Sequence, residues 1–212
     1  MRRDLGAFFF KYRDVLPVPL ALAMLWRSRP RLVNWLFGLP LIAIGQLLRI
    51  WSLRHIGPTT RTRDICADVL VTSGPYAYTR NPLYLANLLK VLGILTVAGD
   101  FSVAVATLFF YGLEFSAIIP YEEQFLSEKF PEAFAQYAEA VPVFFPDGRQ
   151  LAGERSPAGW GLGEAIKSER RTFTSTGLIL AVLGLCGVLR ALLSADGTTL
   201  FSGKSTNGGV QS

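Results

Sequence analysis

Long apolar runs separated by short polar segments organise this chain. A helix that crosses a bilayer needs about 20 mainly apolar residues. The clearest candidates lie at about residues 34–56, 83–98, 101–121 and 174–193, and a shorter run at 14–26 holds Pro17 and Pro19. The short run reads either as a kinked span or as a segment that dips into the membrane and returns. Only Gly99 and Asp100 separate the second and third clear runs, so these form a tight antiparallel hairpin. The pattern predicts an all-α, polytopic membrane protein with four to five transmembrane helices.

The hairpin runs into polar sequence at both ends, "TSGPYAYTRNP" on the way in and "PYEEQFLSEKF" on the way out. These two segments must therefore share one side of the membrane. From Phe125 to Tyr137, aromatics at 125, 130, 134 and 137 predict an amphipathic helix broken near Pro131 and lying against that membrane face. The Gly/Pro-rich stretch 146–164 reads as a loop, and the small polar residues 194–212 as a disordered tail. The implied organisation is a membrane core over 1–146, a loop and amphipathic segment over 147–173, a final span over 174–193 and the tail.

Composition supports the membrane reading. Half of the 212 residues are hydrophobic, and only 17% are charged, against roughly 25% in an average soluble domain. The net charge is +5, but the basic residues cluster beside apolar runs, which suits anionic headgroups and not nucleic acid. With residues 1–14, 54–82 and 121–173 on one side, that side holds fourteen Lys and Arg against four on the other. The polar motifs are therefore expected at the cytoplasmic face. The "RSRPR" cluster at 27–31 runs against this assignment unless the first segment returns. Cys66 and Cys186 form no CxxC pair, and His55 is the single histidine, which argues against zinc sites, disulfide scaffolds and histidine triads. The N-terminus lacks the apolar core and cleavage site of a signal peptide.

Chemistry concentrates in "LVTSGPYAYTRNPLY", Leu70 to Tyr84. Gly74-Pro75 makes a turn, and Pro82 suits the first turn of the next helix because its missing N–H costs nothing there. That helix start offers free N–H groups and a positive dipole end. Tyr76, Tyr78 and Tyr84 read either as interfacial belt residues or as part of a ligand site. Glu122 and Glu123, read as following the third span, serve either to stabilise a helix end or to accept a cation or hydroxyl from the Arg80 segment. Topology favours the second.

These two motifs, the second continuing as "EEQFLSEKFPEAFAQYAEAVPVFFP", together resemble the membrane methyltransferases typified by isoprenylcysteine carboxyl methyltransferase and the bacterial phospholipid methyltransferases. The resemblance covers about residues 40–146. It implies S-adenosylmethionine as methyl donor and a lipid or small amphiphilic acceptor reaching the site from the membrane. Carried over by position, the donor contacts fall on Asp68, Val69, Leu70, Val71, Tyr76, Asn81, Pro82, Leu83, Tyr84 and Glu122. Asn81 stands where the family commonly has His. Ile118 stands where the isoprenylcysteine enzymes carry an Arg, which speaks against a prenylcysteine acceptor.

Methyl transfer of this kind needs positioning and electrostatics, with no metal and no covalent nucleophile. Glu122 is the candidate proton acceptor and Arg80 the candidate for organising the loop or binding a headgroup phosphate. Lys90 and Glu114 lie inside the hairpin, where charges are expensive, and are expected to pair with each other. Arg49 and Arg54 are expected to snorkel to headgroups. An NADPH-using enzyme related to the sterol reductases would need further helices. A non-enzymatic membrane scaffold or transporter component would leave the facing motifs unexplained.

Overall fold

The computed structural model describes residues 2–12, 15–57, 69–149 and 159–202. Among these, every regular element is helical. α1 (Arg2–Tyr12) and α2 (Val18–Arg27) precede the long α3 (Leu32–Ile56). A single 3-10 turn, Gly74–Ala77, leads into α4 (Pro82–Ala98), and α5 (Phe101–Lys129) follows. α6 (Pro131–Ala140), the short α7 (Leu162–Ser168) and α8 (Arg170–Ser202) complete the chain. α3, α5 and α8 are long and apolar enough to cross a membrane, while α2 and α4 are shorter apolar helices. The protein is an all-helical, polytopic membrane protein.

The central pair is α3 against α4. Bilayer lipid is as apolar as a leucine side chain, so helices there associate through close packing and small residues. Gly38, Gly45 and Gly93 supply that closeness. A Cβ built at Gly38 would lie 2.6 Å from the Gly93 carbonyl oxygen, and one at Gly93 would lie 2.6 Å from that of Gly38. The two backbones touch, and the helices run antiparallel.

The hairpin joining α4 to α5 turns as the sequence predicts. Gly99 closes α4 in the left-handed region at φ 71°, and the Asp100 side chain caps α5 by accepting from the Val103 N–H. That backbone hydrogen bond holds the Asp100 carboxyl below its ordinary range. Arg27 adds an ion pair to Asp100 at 3.1 Å, and the Arg29 N–H donates to Ala98 O. The "RSRPR" cluster therefore sits at the hairpin turn, at the opposite end from the polar motifs. α1 packs on the motif half of α5, where Phe10 meets Tyr121 and a Cβ at Gly6 would strike Tyr121. From there α2 carries the chain down to Asp100. α1 and α2 thus lie toward opposite ends of the bundle, and α2 is a shorter apolar helix than the three candidate spans.

Two boundaries differ from the sequence reading. α5 does not stop at Tyr121: it carries Pro120 within it and runs on through Glu122 and Glu123 to Lys129. The acids thus lie on the helix and not after it. The predicted break near Pro131 appears as the joint at Phe130 between α5 and α6. α8 extends to Ser202, past the expected start of a disordered tail, while residues 203–212 and 150–158 of the predicted loop lie outside the described residues.

Two apolar clusters close the bundle at its ends. Met24, Leu95, Val97, Ala98, Val103 and Leu183 pack at the hairpin turn. Phe134, Tyr137 and Val141 pack at the motif end with Leu70, Leu126 and Phe130 around them. The space between these clusters is open.

Candidate functional site

Local geometry at the motif end begins with Gly74. Its φ of +62° is a left-handed conformation that a side chain resists, and a Cβ there would lie 2.4 Å from the His55 ring. His55 Nδ1 hydrogen-bonds Ser73 Oγ at 2.9 Å, which fixes the turn to the end of α3. Beyond it the chain is strapped to the segment after α6. The Arg80 N–H donates to Pro142 O, Thr79 Oγ1 to Phe144 O and Asn81 Nδ2 to Val143 O. Tyr137 Oη donates to Tyr76 O at 2.8 Å. The two motifs are one structural unit, as their shared membrane side requires.

The adjacent acids divide their work. Glu122 Oε1 accepts the Tyr84 hydroxyl at 2.8 Å across the mouth of the hairpin. Glu123 Oε1 forms an ion pair with Arg80 Nε at 3.1 Å, too far from linear to count as a hydrogen bond. The Arg80 guanidinium also lies over the Phe134 ring. Glu122 thus takes a hydroxyl and Glu123 takes the cation, the two roles the sequence left to the pair jointly.

A cavity of about 880 Å³ opens behind this gate, at the upper end of the range for small-molecule sites. Val69, Leu70, Val71, Tyr76, Arg80, Asn81, Pro82, Leu83, Tyr84 and Glu122 all line it. Asp68 lies outside the described residues. Ile118, which stands at the family's Arg position, is fully buried and also faces the cavity. Tyr76 is 6% exposed, and its hydroxyl is buried with no hydrogen-bond partner among the described residues. Burial first, then the nearby Tyr137 and Glu122, raise its pKa well above that of an ordinary phenol, while Arg49 opposes them. The group stays protonated and keeps a hydrogen bond to offer.

Deeper in the cavity the pairing differs from the expectation. Lys90 Nζ donates to Gln46 Oε1 at 2.6 Å and makes no ion pair with Glu114. Glu114 lies fourteen residues from the hairpin turn and Lys90 nine, a difference of about 8 Å in helix rise, and both line the cavity. Arg49 does not snorkel. It turns inward to a two-pronged ion pair with Glu169, at 2.8 and 2.9 Å, and donates also to Asn87 Oδ1. Gln46 Nε2 donates to the same Glu169 at 3.1 Å. Glu169, fully buried between α7 and α8, escaped the sequence reading because its partner is 120 residues away and its own surroundings, "KSERR", read as an ordinary charged flank.

The residues present fit a sulfonium donor. The lining carboxylates, Glu114, Glu122 and Glu123, all come from α5, so that wall carries the negative charge that a cationic group would meet. Among the described residues no group of three or more His, Cys, Asp or Glu converges to hold a metal ion.

Comparison with known proteins agrees with this geometry. The phospholipid methyltransferase family matches residues 33–133. The cobalt-zinc-cadmium resistance protein CzcN of Cupriavidus metallidurans is 36% identical over 129 residues, 61% of this chain and 55% of that protein. Protein-S-isoprenylcysteine O-methyltransferase of Schizosaccharomyces pombe is 33% identical over 131 residues, 54% of this chain and 53% of its own. Protein-S-isoprenylcysteine O-methyltransferase B of Arabidopsis thaliana is 31% identical over 114 residues, 52% of this chain and 58% of that protein. The chain spans about half the length of the curated relatives it matches. No solved structure matches it. Residues 33–133, which hold the hairpin and its polar ends, are thus the part of the chain that is similar to the phospholipid methyltransferase family.

Proposed function

We propose that this protein transfers a methyl group from S-adenosylmethionine to a lipid or other small amphiphilic acceptor, at a site facing the cytoplasm. The observation that carries the reading is the gate itself. The Tyr84–Glu122 hydrogen bond joins α4 to α5 over a large cavity into which Tyr76 brings a hydroxyl with no partner among the described residues. The family match over residues 33–133 and the methyltransferase names of two relatives support the same reaction class.

S-adenosylmethionine, when bound, supplies an electrophilic methyl group on a sulfonium. Val69, Leu70, Val71, Tyr76, Asn81, Pro82, Leu83, Tyr84 and Glu122 would hold it, with Asp68 as a further contact by family position. Tyr76 donates a hydrogen bond from a hydroxyl that burial keeps protonated. Glu122 provides negative charge in a site sheltered from water, and it accepts the proton that a nucleophilic amine or hydroxyl must lose. Tyr84 fixes that carboxylate in place. Arg80, held by Glu123 and Phe134, suits the role of organising the motif turn better than that of gripping a headgroup. The excess of Lys and Arg on the motif side supports the cytoplasmic orientation.

The test is transfer of label. Protein in nanodiscs of bacterial lipid extract, given S-adenosylmethionine tritiated in the methyl group, should put tritium into the chloroform-soluble fraction. Label that stays wholly in the aqueous fraction would refute a lipid acceptor.

A further inference from the structure

We propose that Lys90 is an anion-recognition site for the acceptor, built by the chain Glu169–Gln46–Lys90, and that the acceptor carries an anionic group distinct from its methylated atom. The anion site stands on geometry alone; calling its ligand the methyl acceptor rests on the function proposed above.

The charges of the cavity are segregated. α5 supplies the carboxylates, whereas the cations come from other elements: Arg49 and Lys90 from α3 and α4, Arg171 from α8, and Arg80, paired with Glu123, from the motif turn. Arg49 is satisfied by both oxygens of Glu169 and by Asn87. Gln46 is fixed as well, because its Nε2 donates to Glu169, so its Oε1 must face Lys90. Lys90 therefore has a neutral amide as its hydrogen-bond acceptor among the described residues. The negative charge of Glu169 is already spent on Arg49. An ammonium carries three N–H groups; one goes to Gln46, and the side chain is only 6% exposed. Such a cation inside a membrane bundle calls for an anion.

The site is also shaped for this lysine. A Cβ at Gly45 would lie 2.7 Å from Lys90 Cγ and 2.7 Å from Ala86 O, so the bare glycine lets the lysine stem cross α3 to reach Gln46. Lys90 lies six residues, about 9 Å of helix rise, from Tyr84. An anion there is thus set apart from the gate where Glu122 sits. On the far side of Lys90 the lining becomes apolar, with Met24, Leu95 and Ile179. A ligand with a reacting end at the gate, an anion at Lys90 and an apolar tail toward the hairpin turn matches these three zones. Glu169 lies outside the family-matched region 33–133, so this subsite depends on the C-terminal part of this chain.

The probes are dodecyl phosphate, dodecanol and inorganic phosphate, titrated by calorimetry into the full-length protein in neutral maltoside micelles. Dodecyl phosphate should bind more tightly than either of the others. Lys90→Gln should weaken it by about tenfold, the loss of one charge-assisted contact, while S-adenosylmethionine affinity stays unchanged. Lys90→Met, which keeps the stem's packing, should behave like Lys90→Gln, and Lys90→Arg should retain most of the affinity. Equal binding of dodecyl phosphate by parent and Lys90→Met would overturn the proposal. So would equal binding of dodecanol or of inorganic phosphate by the parent, a comparison that needs no variant to fold. A Lys90→Gln protein that loses S-adenosylmethionine instead would assign the ammonium to the donor and overturn the acceptor site. Lys90-dependent binding of dodecyl phosphate by a parent that binds no S-adenosylmethionine would support the anion site while removing the methyl-transfer reading.

Discussion

At the scale of single residues, the gate makes the sharpest predictions. Glu122→Gln keeps the shape and removes the charge, so the contact with Tyr84 becomes an ordinary neutral one. The expected loss in donor binding or turnover is roughly 1.5–3 kcal/mol, one to two orders of magnitude, read from binding isotherms and initial rates. Unchanged values for both would withdraw Glu122 from the site. Gly74→Ala should lower the melting temperature in detergent, because φ +62° and the His55 ring both oppose a side chain. Much of this was legible beforehand. Gly-Pro and Asn-Pro announced the turn and the helix start, and the hairpin required Tyr84 and Glu122 to share an end. The division of labour between Glu122 and Glu123 was not legible, because a helical side chain's direction depends on where the helix ends, and α5 runs past Pro120.

At the scale of elements, the α3–α4 contact should be the least tolerant part of the bundle. Gly38→Ala places a methyl 2.6 Å from the Gly93 carbonyl, and overpacking of this kind typically costs about 1–3 kcal/mol. Gly112→Ala on α5 meets nothing within 4 Å and should be neutral or stabilising by about 0.5–1 kcal/mol. Equal effects of the two on thermal stability would contradict the backbone-contact packing. Glu169 ties α7 and α8 to this pair. Glu169→Ala leaves Arg49 as an uncompensated buried charge, a change that typically costs about 3–5 kcal/mol. A double-mutant cycle should find coupling between Lys90 and Gln46 and little between Lys90 and Glu114. Apolar runs and breakers located α3, α4, α5 and α8 well. Partner choice among buried charges escaped the sequence because depth along a helix is readable from residue number, whereas rotation and the width of a cavity are not.

At the scale of the whole molecule, the bundle has two distinct ends. The motif turn and the end of α5 share one end of the bundle, and the Arg27–Asp100 pair marks the other. In a background lacking Cys66 and Cys186, cysteines placed at Tyr78 and Glu128 should label from the same face and one at Arg31 from the opposite face. Labelling of positions 78 and 128 from opposite faces would break the topology on which the site rests. The two-sided charge count suggested this arrangement, and the "RSRPR" cluster obscured it until its ion pair placed it at the hairpin turn. The central claim remains that the cavity binds a sulfonium methyl donor. Equilibrium binding of radiolabelled S-adenosylmethionine and of NADPH to the purified full-length protein tests it most directly. Saturable binding of S-adenosylmethionine, weakened by Glu122→Gln, is expected, with no saturable binding of NADPH. Saturable NADPH binding without S-adenosylmethionine binding would contradict it.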